Sequence, residues 1–317
     1  MARPFKNLIR SCGTLSGRNY NDQIKSWSEL TSVNCNLLLY ADDSALFTSG
    51  DDPKVISDIL SRELESCRQW LIDNKLSLHL GKTESILFGS KIRLSRVDKF
   101  EVSCDGNIIN PTHSVKYLGI TLDENLCGDS IAKSVIKKVC SRISFLYRQG
   151  HFLNVRTRKT LCTALVQCHF DYCCSSWYSA LSTKLKDKLQ VMQNKLIRFI
   201  LKLGPRSHIG SDELMKLNML KVADRVKQLK LNHVFKIYND TAPHYLNSHF
   251  TKLAHTHRYH TRGSTTNFLV PVMKGQECNS FFYTCIKEWN LLPTQIKTCK
   301  SHQQFKKAVK SHFLSGS

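Results

Sequence analysis

A chain of 317 residues with 41% hydrophobic content is long enough for two or three domains and too apolar for general disorder. Lysine and arginine total 46 against 25 acidic residues, a formal charge of +21, so a polyanion, nucleic acid first, is the favoured partner. No stretch approaches the roughly 18 consecutive apolar residues that cross a bilayer, and MARPFKNLIRSCGTLSG lacks the apolar core of a secretory signal. The chain is therefore expected to be intracellular, nuclear or cytoplasmic, without a membrane partner. Thirteen cysteines, an odd number, fit reduced and partly buried thiols better than a disulfide framework. Cys168, His169, Cys173 and Cys174, and separately His255, His257 and His260, lack the paired spacing of a zinc site.

Residues 1–30 show no periodicity, and Gly13, Gly17, Asn19 and Asn21 read as irregular structure. VNCNLLLY at 33–40 predicts a strand, ADD a tight turn and SALFTSG the returning strand of a hairpin. Asp52 and Pro53 then supply a cap and a first helical residue. Val55, Ile56, Ile59, Leu60, Leu64, Cys67, Trp70 and Leu71 follow at three- and four-residue steps, predicting a helix of about five turns. Alternating Leu76, Leu78 and Leu80, then ESILFG, predict two short strands. KFEVSCDGNIIN predicts another pair across Asp105 and Gly106, and the sheet is expected to continue to about Leu122. Past Asn125 the pattern turns helical. Ile131, Val135, Ile136, Val139, Ile143 and Leu146 mark one stripe and Leu185, Leu189, Met192, Leu196, Ile197 and Ile200 another. Further helices are predicted over 156–170, 222–240, 280–291 and 302–314, with a loop around 255–266.

The chemistry is concentrated in LLLYADDSAL. Adjacent carboxylates at a hairpin tip concentrate negative charge that a divalent cation neutralises, and polymerases of the two-metal type use such acids to hold Mg2+. Taken alone, an Asp-Asp pair is also an ordinary solvated turn. WLIDNKLSLHLGKTESILFG at 70–89 and KYLGITLDENL at 116–126 follow it, and then TLCTALVQCHFDYCCSSWY, KLQVMQNKLIRFIL, HTRGS and EWNLLP, in that order. In this combination the chain resembles the C-terminal part of a reverse transcriptase of the non-LTR retrotransposon, LINE-type family, over about residues 33–314.

The resemblance implies an α+β fold: a partial polymerase palm, antiparallel sheet with helix, over 1–125, a helical thumb-like region over 126–215 and a mostly helical C-terminal region over 216–317. It implies that Asp42 and Asp43 are the catalytic, metal-binding pair for Mg2+, that Tyr40 packs near the primer end, and that Lys82 approaches the incoming nucleotide's phosphates. Lys82 is equally readable as a solvated lysine beside a turn. Tyr117, Leu118 and Gly119 resemble the primer grip, although Gly119 also has a purely structural reading as a strand bend. His79 stands where the family commonly has asparagine. An RNA template, a DNA primer and deoxynucleotide triphosphates are the implied partners.

The resemblance further implies a third catalytic aspartate on a strand well upstream of YADD, and only 39 residues precede Tyr40. Asp22, in RNYNDQIKSW, resembles the end of a preceding helix instead. The chain alone is thus expected to be a poor polymerase or none. The alternative is a non-catalytic module whose basic helical region grips RNA or DNA by its phosphates. Phe145, Tyr147, Phe170, Tyr172, Trp177 and Tyr178 could stack on bases, but their helical spacing suggests that most are core.

Overall fold

The structure, a computed structural model, describes residues 5–12, 35–41, 43–255 and 265–316, the side chains of 5–12, 255 and 276 excepted. It divides into two compact units, Met1–Ser130 and Ile131–Ser317. Together they mix antiparallel sheets with many helices, an α+β composition.

In the first unit, β1 (Phe5–Cys12), β2 (Asn36–Tyr40), β3 (Asp43–Gly50) and β4 (Glu84–Phe88) form one antiparallel sheet in the order β2-β3-β1-β4. Alternation along β3 separates its faces. Ser44, Leu46 and Thr48 are buried on one, while Asp43, Ala45 and Phe47 lie on the other. Leu46 enters a core with helix α1 (Pro53–Asp73), whereas Ala45 packs in a second cluster with Ile86 and Val115.

Asp52 caps α1, its carboxylate accepting from the Lys54 backbone N–H at 2.9 Å. The buried stripe runs Ile56, Leu60, Leu64, Cys67, Leu71. Val55, read from sequence as part of that stripe, is 53% exposed, because one residue's step turns it roughly 100° away from Ile56.

Three expectations are corrected here. Phe5–Cys12, read as irregular, is a strand hydrogen-bonded on both sides. Leu76, Leu78 and Leu80 form no strand beyond a single bridge at Leu78; they pack against the α1 core ahead of and within a 3-10 segment, so their alternation chiefly serves burial. Nor does the sheet continue to Leu122. Strands β5 (Val102–Cys104) and β6 (Asn107–Ile109) form one separate ribbon, β7 (Ser114–Tyr117) and β8 (Ile120–Asp123) another. Each ribbon buries one face, Val102 and Ile109 in the α1 core and Val115 on the sheet's opposite face. Among the described residues, backbone pairing with edge strand β4 is limited to a bridge at Ser85–Pro111 and the Gly89 N–H donating to the Glu124 carbonyl.

The second unit carries α2 (Asp129–Gln149, entering from the unit boundary), α3 (Val155–Cys162), α4 (Thr183–Leu201), α5 (Val222–Tyr238), α6 (Phe281–Leu291) and α7 (His302–Ser315). The helix predicted over 156–170 is interrupted by a π turn, Thr163–Gln167. Leu231, Val234 and Phe235 of α5 pack with Ile286 and Trp289 of α6 and Phe305 and Val309 of α7, with Phe235 and Phe305 stacked at 4.3 Å. The loop predicted around 255–266 lies mostly outside the described residues. Among the aromatics read as mostly core, Phe170, Trp177 and Tyr178 are buried, but Phe145, Tyr147 and Tyr172 are exposed. Among the described residues no helix is long and apolar enough to cross a membrane.

Two buried cations organise this unit. Arg158 donates to the carbonyls of Leu153 (3.1 Å), Phe199 (2.6 Å) and Gly150 (2.7 Å), terminating α2 and α4 at once. Lys230 donates to Ser179 and Thr284 and lies 3.6 Å from Glu288. The described cysteines are free: Cys168 and Cys173 are exposed, while Cys35, Cys67, Cys104, Cys162, Cys174 and Cys285 are buried. Burial pushes the Cys35, Cys104, Cys162 and Cys174 thiols up to about 12.

Arg158→Ala, which strips two helix-end carbonyls and one loop carbonyl of their donor, is expected to lower stability of this unit by about 2–4 kcal/mol in urea denaturation. Burial lifts the Glu288 carboxyl above the usual carboxylate range, against the opposing pull of Lys230. The folded state then holds that proton after the unfolded chain has released it, so this contribution to stability is lost as pH rises through the elevated value. Melting temperature is expected to fall over that window, and Glu288→Gln to flatten the slope.

Candidate functional site

β2 and β3 pair in register from Asn36↔Phe47 to Tyr40↔Asp43, leaving a two-residue connection, Ala41 and residue 42. Asp42 itself lies outside the described residues. The favoured two-residue hairpin turns demand positive φ at the first connecting position, and Ala41 sits at φ +52°. For a residue with a Cβ that conformation costs about 1–2 kcal/mol. Directly opposed residues share a face, so Tyr40 and Asp43 stand side by side. Tyr40 is 65% exposed and Asp43 half-buried.

On the inner side of β3, Asp43 is opposite Cys12 and Ser44 opposite Ser11 of β1. The strand next to Asp43 therefore has the sequence FKNLIRSC, with no carboxylate in it. Beneath the sheet, α1 buries Glu63, which together with Cys67 adds to the effect of burial on the Cys35 thiol. Sequence reasoning passed over Glu63. It lies three residues after Leu60 and four before Cys67, on the buried stripe, and that spacing was the available signal.

Lys82, exposed, closes the 3-10 turn Leu80–Lys82 that leads into β4. β4 pairs with β1 from Lys6↔Phe88 to Arg10↔Glu84, so the chain just before Glu84 lies at the same sheet end as Cys12 and Asp43. Tyr40, Asp43 and Lys82 thus gather at one end, with Lys82 about two strand spacings, roughly 10 Å, from Asp43. The turn's geometry uses the His79 carbonyl, which accepts from the Lys82 backbone N–H at 3.0 Å and the Thr83 hydroxyl at 3.1 Å. A side-chain amide at position 79 is not needed for it.

The β7–β8 ribbon closes at Leu118 (φ +45°) and Gly119 (φ +79°), a type I′-like turn between the paired Tyr117 and Ile120. Tyr117 clusters with Phe47 and Phe88 around Ala45, Ile86 and Val115. These residues share the sheet face of Asp43 but lie back from it, since Phe47 is four residues, roughly 13 Å, along β3.

Carboxylate oxygens are the hard donors Mg2+ prefers, in near-octahedral coordination. Among the described residues, however, no group of three or more His, Cys, Asp or Glu converges to hold a metal ion. Asp43 supplies the donor type, and its neighbour Asp42 lies outside the described residues.

An antiparallel sheet with an acid-tipped hairpin, covered by a helix, is where the comparisons with known proteins fall. Residues 10–122, from within β1 to within β8, match the family of reverse transcriptases, RNA-dependent DNA polymerases. A relative in Drosophila funebris, the RNA-directed DNA polymerase from mobile element jockey, is 26% identical over 194 residues, covering 60% of this chain. The chain spans 20% of that relative's length. The resemblance to reverse transcriptases of non-LTR, LINE-type retrotransposons is thereby shown, and such enzymes act with divalent metal ions on nucleic acid and nucleotides.

The two left-handed turn residues make a direct test. Leu118→Asn, which restores the favoured Asn-Gly pair, and Ala41→Gly are each expected to stabilise the first unit by up to about 1 kcal/mol in chemical denaturation.

Proposed function

We propose that this chain is a reverse-transcriptase-derived nucleic-acid-binding protein that retains a palm-like sheet and acid turn but does not by itself complete two-metal nucleotidyl transfer. The supporting observation is β1: the strand hydrogen-bonded beside Asp43 supplies Arg10, Ser11 and Cys12 at the acid end, and no carboxylate. In this reading residues 1–125 are the partial palm, 126–215 a thumb-like region and 216–317 a helical C-terminal region. Asp42 and Asp43 would hold Mg2+, Tyr40 would pack near a primer end and Lys82 would face nucleotide phosphates. Tyr117, Leu118 and Gly119 would steady the primer.

The binding half of the proposal is supported by charge. Residues 131–202 carry fourteen lysines and arginines, all but Arg158 outside the buried core, against two acids, Asp171 and Asp187. Such a surface binds RNA template and DNA primer through phosphates and weakens steeply with salt. Bound Mg2+ would supply charge neutralisation at a reacting phosphate, and the chain's own contribution is to place one acid hairpin and one lysine at a common sheet end.

Primer extension on an RNA template with purified chain, Mg2+ and deoxynucleotides is expected to yield no product above background. In the same preparation, binding to the primer–template is expected to persist with chelator and with Asp42→Asn or Asp43→Asn. Robust extension abolished by Asp42→Asn would overturn the incomplete-site reading, and binding insensitive to salt would overturn the phosphate-based one.

A further inference from the structure

Phe152 is 99% exposed in the short connection between α2 and α3. Single exposed apolar side chains are ordinary, but an aromatic ring open on both faces can also stack on a partner's π-system. Its backbone is not loose. Arg158, buried, donates to the carbonyls of Gly150 and Leu153 on either side of it, and to Phe199. The Arg158 guanidinium also lies 4.7 Å above the Phe199 ring. Gly150 is pressed so closely to that ring and to the Leu146 carbonyl that a Cβ would collide with both. The loop is therefore clamped in the shape that projects Phe152, and such preorganisation lowers the entropic cost of binding.

The same anchor supports a groove. Tyr147, 42% exposed, tilts against Phe199 at 5.0 Å between ring centroids, and its hydroxyl donates to the Lys195 carbonyl at 3.3 Å. Tyr147, Arg148, Ser144 and Ile143 of α2 and Met192 and Lys195 of α4 line a cleft of about 420 Å³. Its volume falls within the range of ligand clefts, about 300–1,000 Å³. Arg148 and Lys195 are exposed at it, and Arg156 is exposed four residues beyond Phe152.

We infer that the α2–α4 groove and the Phe152 tip beside it form a site for single-stranded nucleic acid, Phe152 stacking on an unpaired base while Arg148 and Lys195 meet neighbouring phosphates. The inference rests on the nucleic-acid-binding reading above and specifies where and which form of polymer. Charge complementarity selects the polyanion, with thirteen cations besides the buried Arg158 to two acids over residues 131–202. The exposed ring selects the single strand, because in a duplex the base faces are already stacked on one another, whereas an unpaired base offers a free π-face.

The test is fluorescence anisotropy of the full chain with a labelled single-stranded oligonucleotide of about 12 nucleotides and with a duplex of equal length. Phe152→Ala is expected to weaken single-strand binding about tenfold and to leave duplex binding and melting temperature unchanged. Phe152→Trp is expected to keep the affinity and to show quenching of the added indole on binding. Arg148→Glu with Lys195→Glu is expected to weaken the single-strand complex further and reduce its salt dependence. If both sets of variants bind as tightly as wild type, the site is wrong while general nucleic-acid binding stands. If the wild-type chain binds neither polymer, the broader reading falls as well. If Phe152→Ala changes only the sedimentation of the free protein, the ring covers another protein surface and the proposal is overturned.

Discussion

Strand β3 runs at a period of two, and that alternation decides which way Asp43 of the acid hairpin faces. Leu46 has to face α1 for the core to close, and Ala45 is thereby committed to the opposite side with Ile86 and Val115. Asp43, two residues earlier, is carried onto Ala45's side, next to Tyr40 through the hairpin register. A slip by one residue would turn the acid toward α1 and Leu46 toward the ribbon. Hydrophobic packing, with no contribution from the acid, therefore aims the carboxylate.

The turns at the ends of these elements work differently. Ala41 and Leu118 occupy left-handed backbone conformations that glycine or asparagine would adopt with less strain. Both are forced there by a two-residue connection between paired strands. In the helical unit the corresponding precision comes from buried cations: Arg158 gathers three carbonyls from two helix ends and one loop. Lys230, buried among Ser179, Thr284 and Glu288, ties α5 to α6.

Much of this was legible in the sequence. The hairpin, the α1 helix with its Asp52 cap and the stripes of α2, α4, α5, α6 and α7 were all predicted from periods of two and 3.6. β1 was not, because FKNLIRSC alternates neither cleanly nor between turn signals, and its strand character comes from ladders to β3 and β4 contributed by residues far along the chain. The opposite error occurred at Leu76, Leu78 and Leu80, where alternation marked burial and no more than a single bridge at Leu78. Within the candidate site, the local hairpin was readable, while the gathering of Lys82 at the same sheet end depended on β1, the strand that was missed. Arg158 drew no reading from the sequence, and its burial at 7% exposure is a tertiary outcome that periodicity does not encode.

The distribution of thiols has a practical side. Six cysteines are sealed inside the two units, and burial keeps the thiols of Cys35, Cys104, Cys162 and Cys174 protonated across the physiological range. Cys168 and Cys173 lie at the surface between α3 and α4. A maleimide dye at limiting concentration should mark that stretch before the sealed positions, giving the helical unit its own optical reporter without any engineered residue.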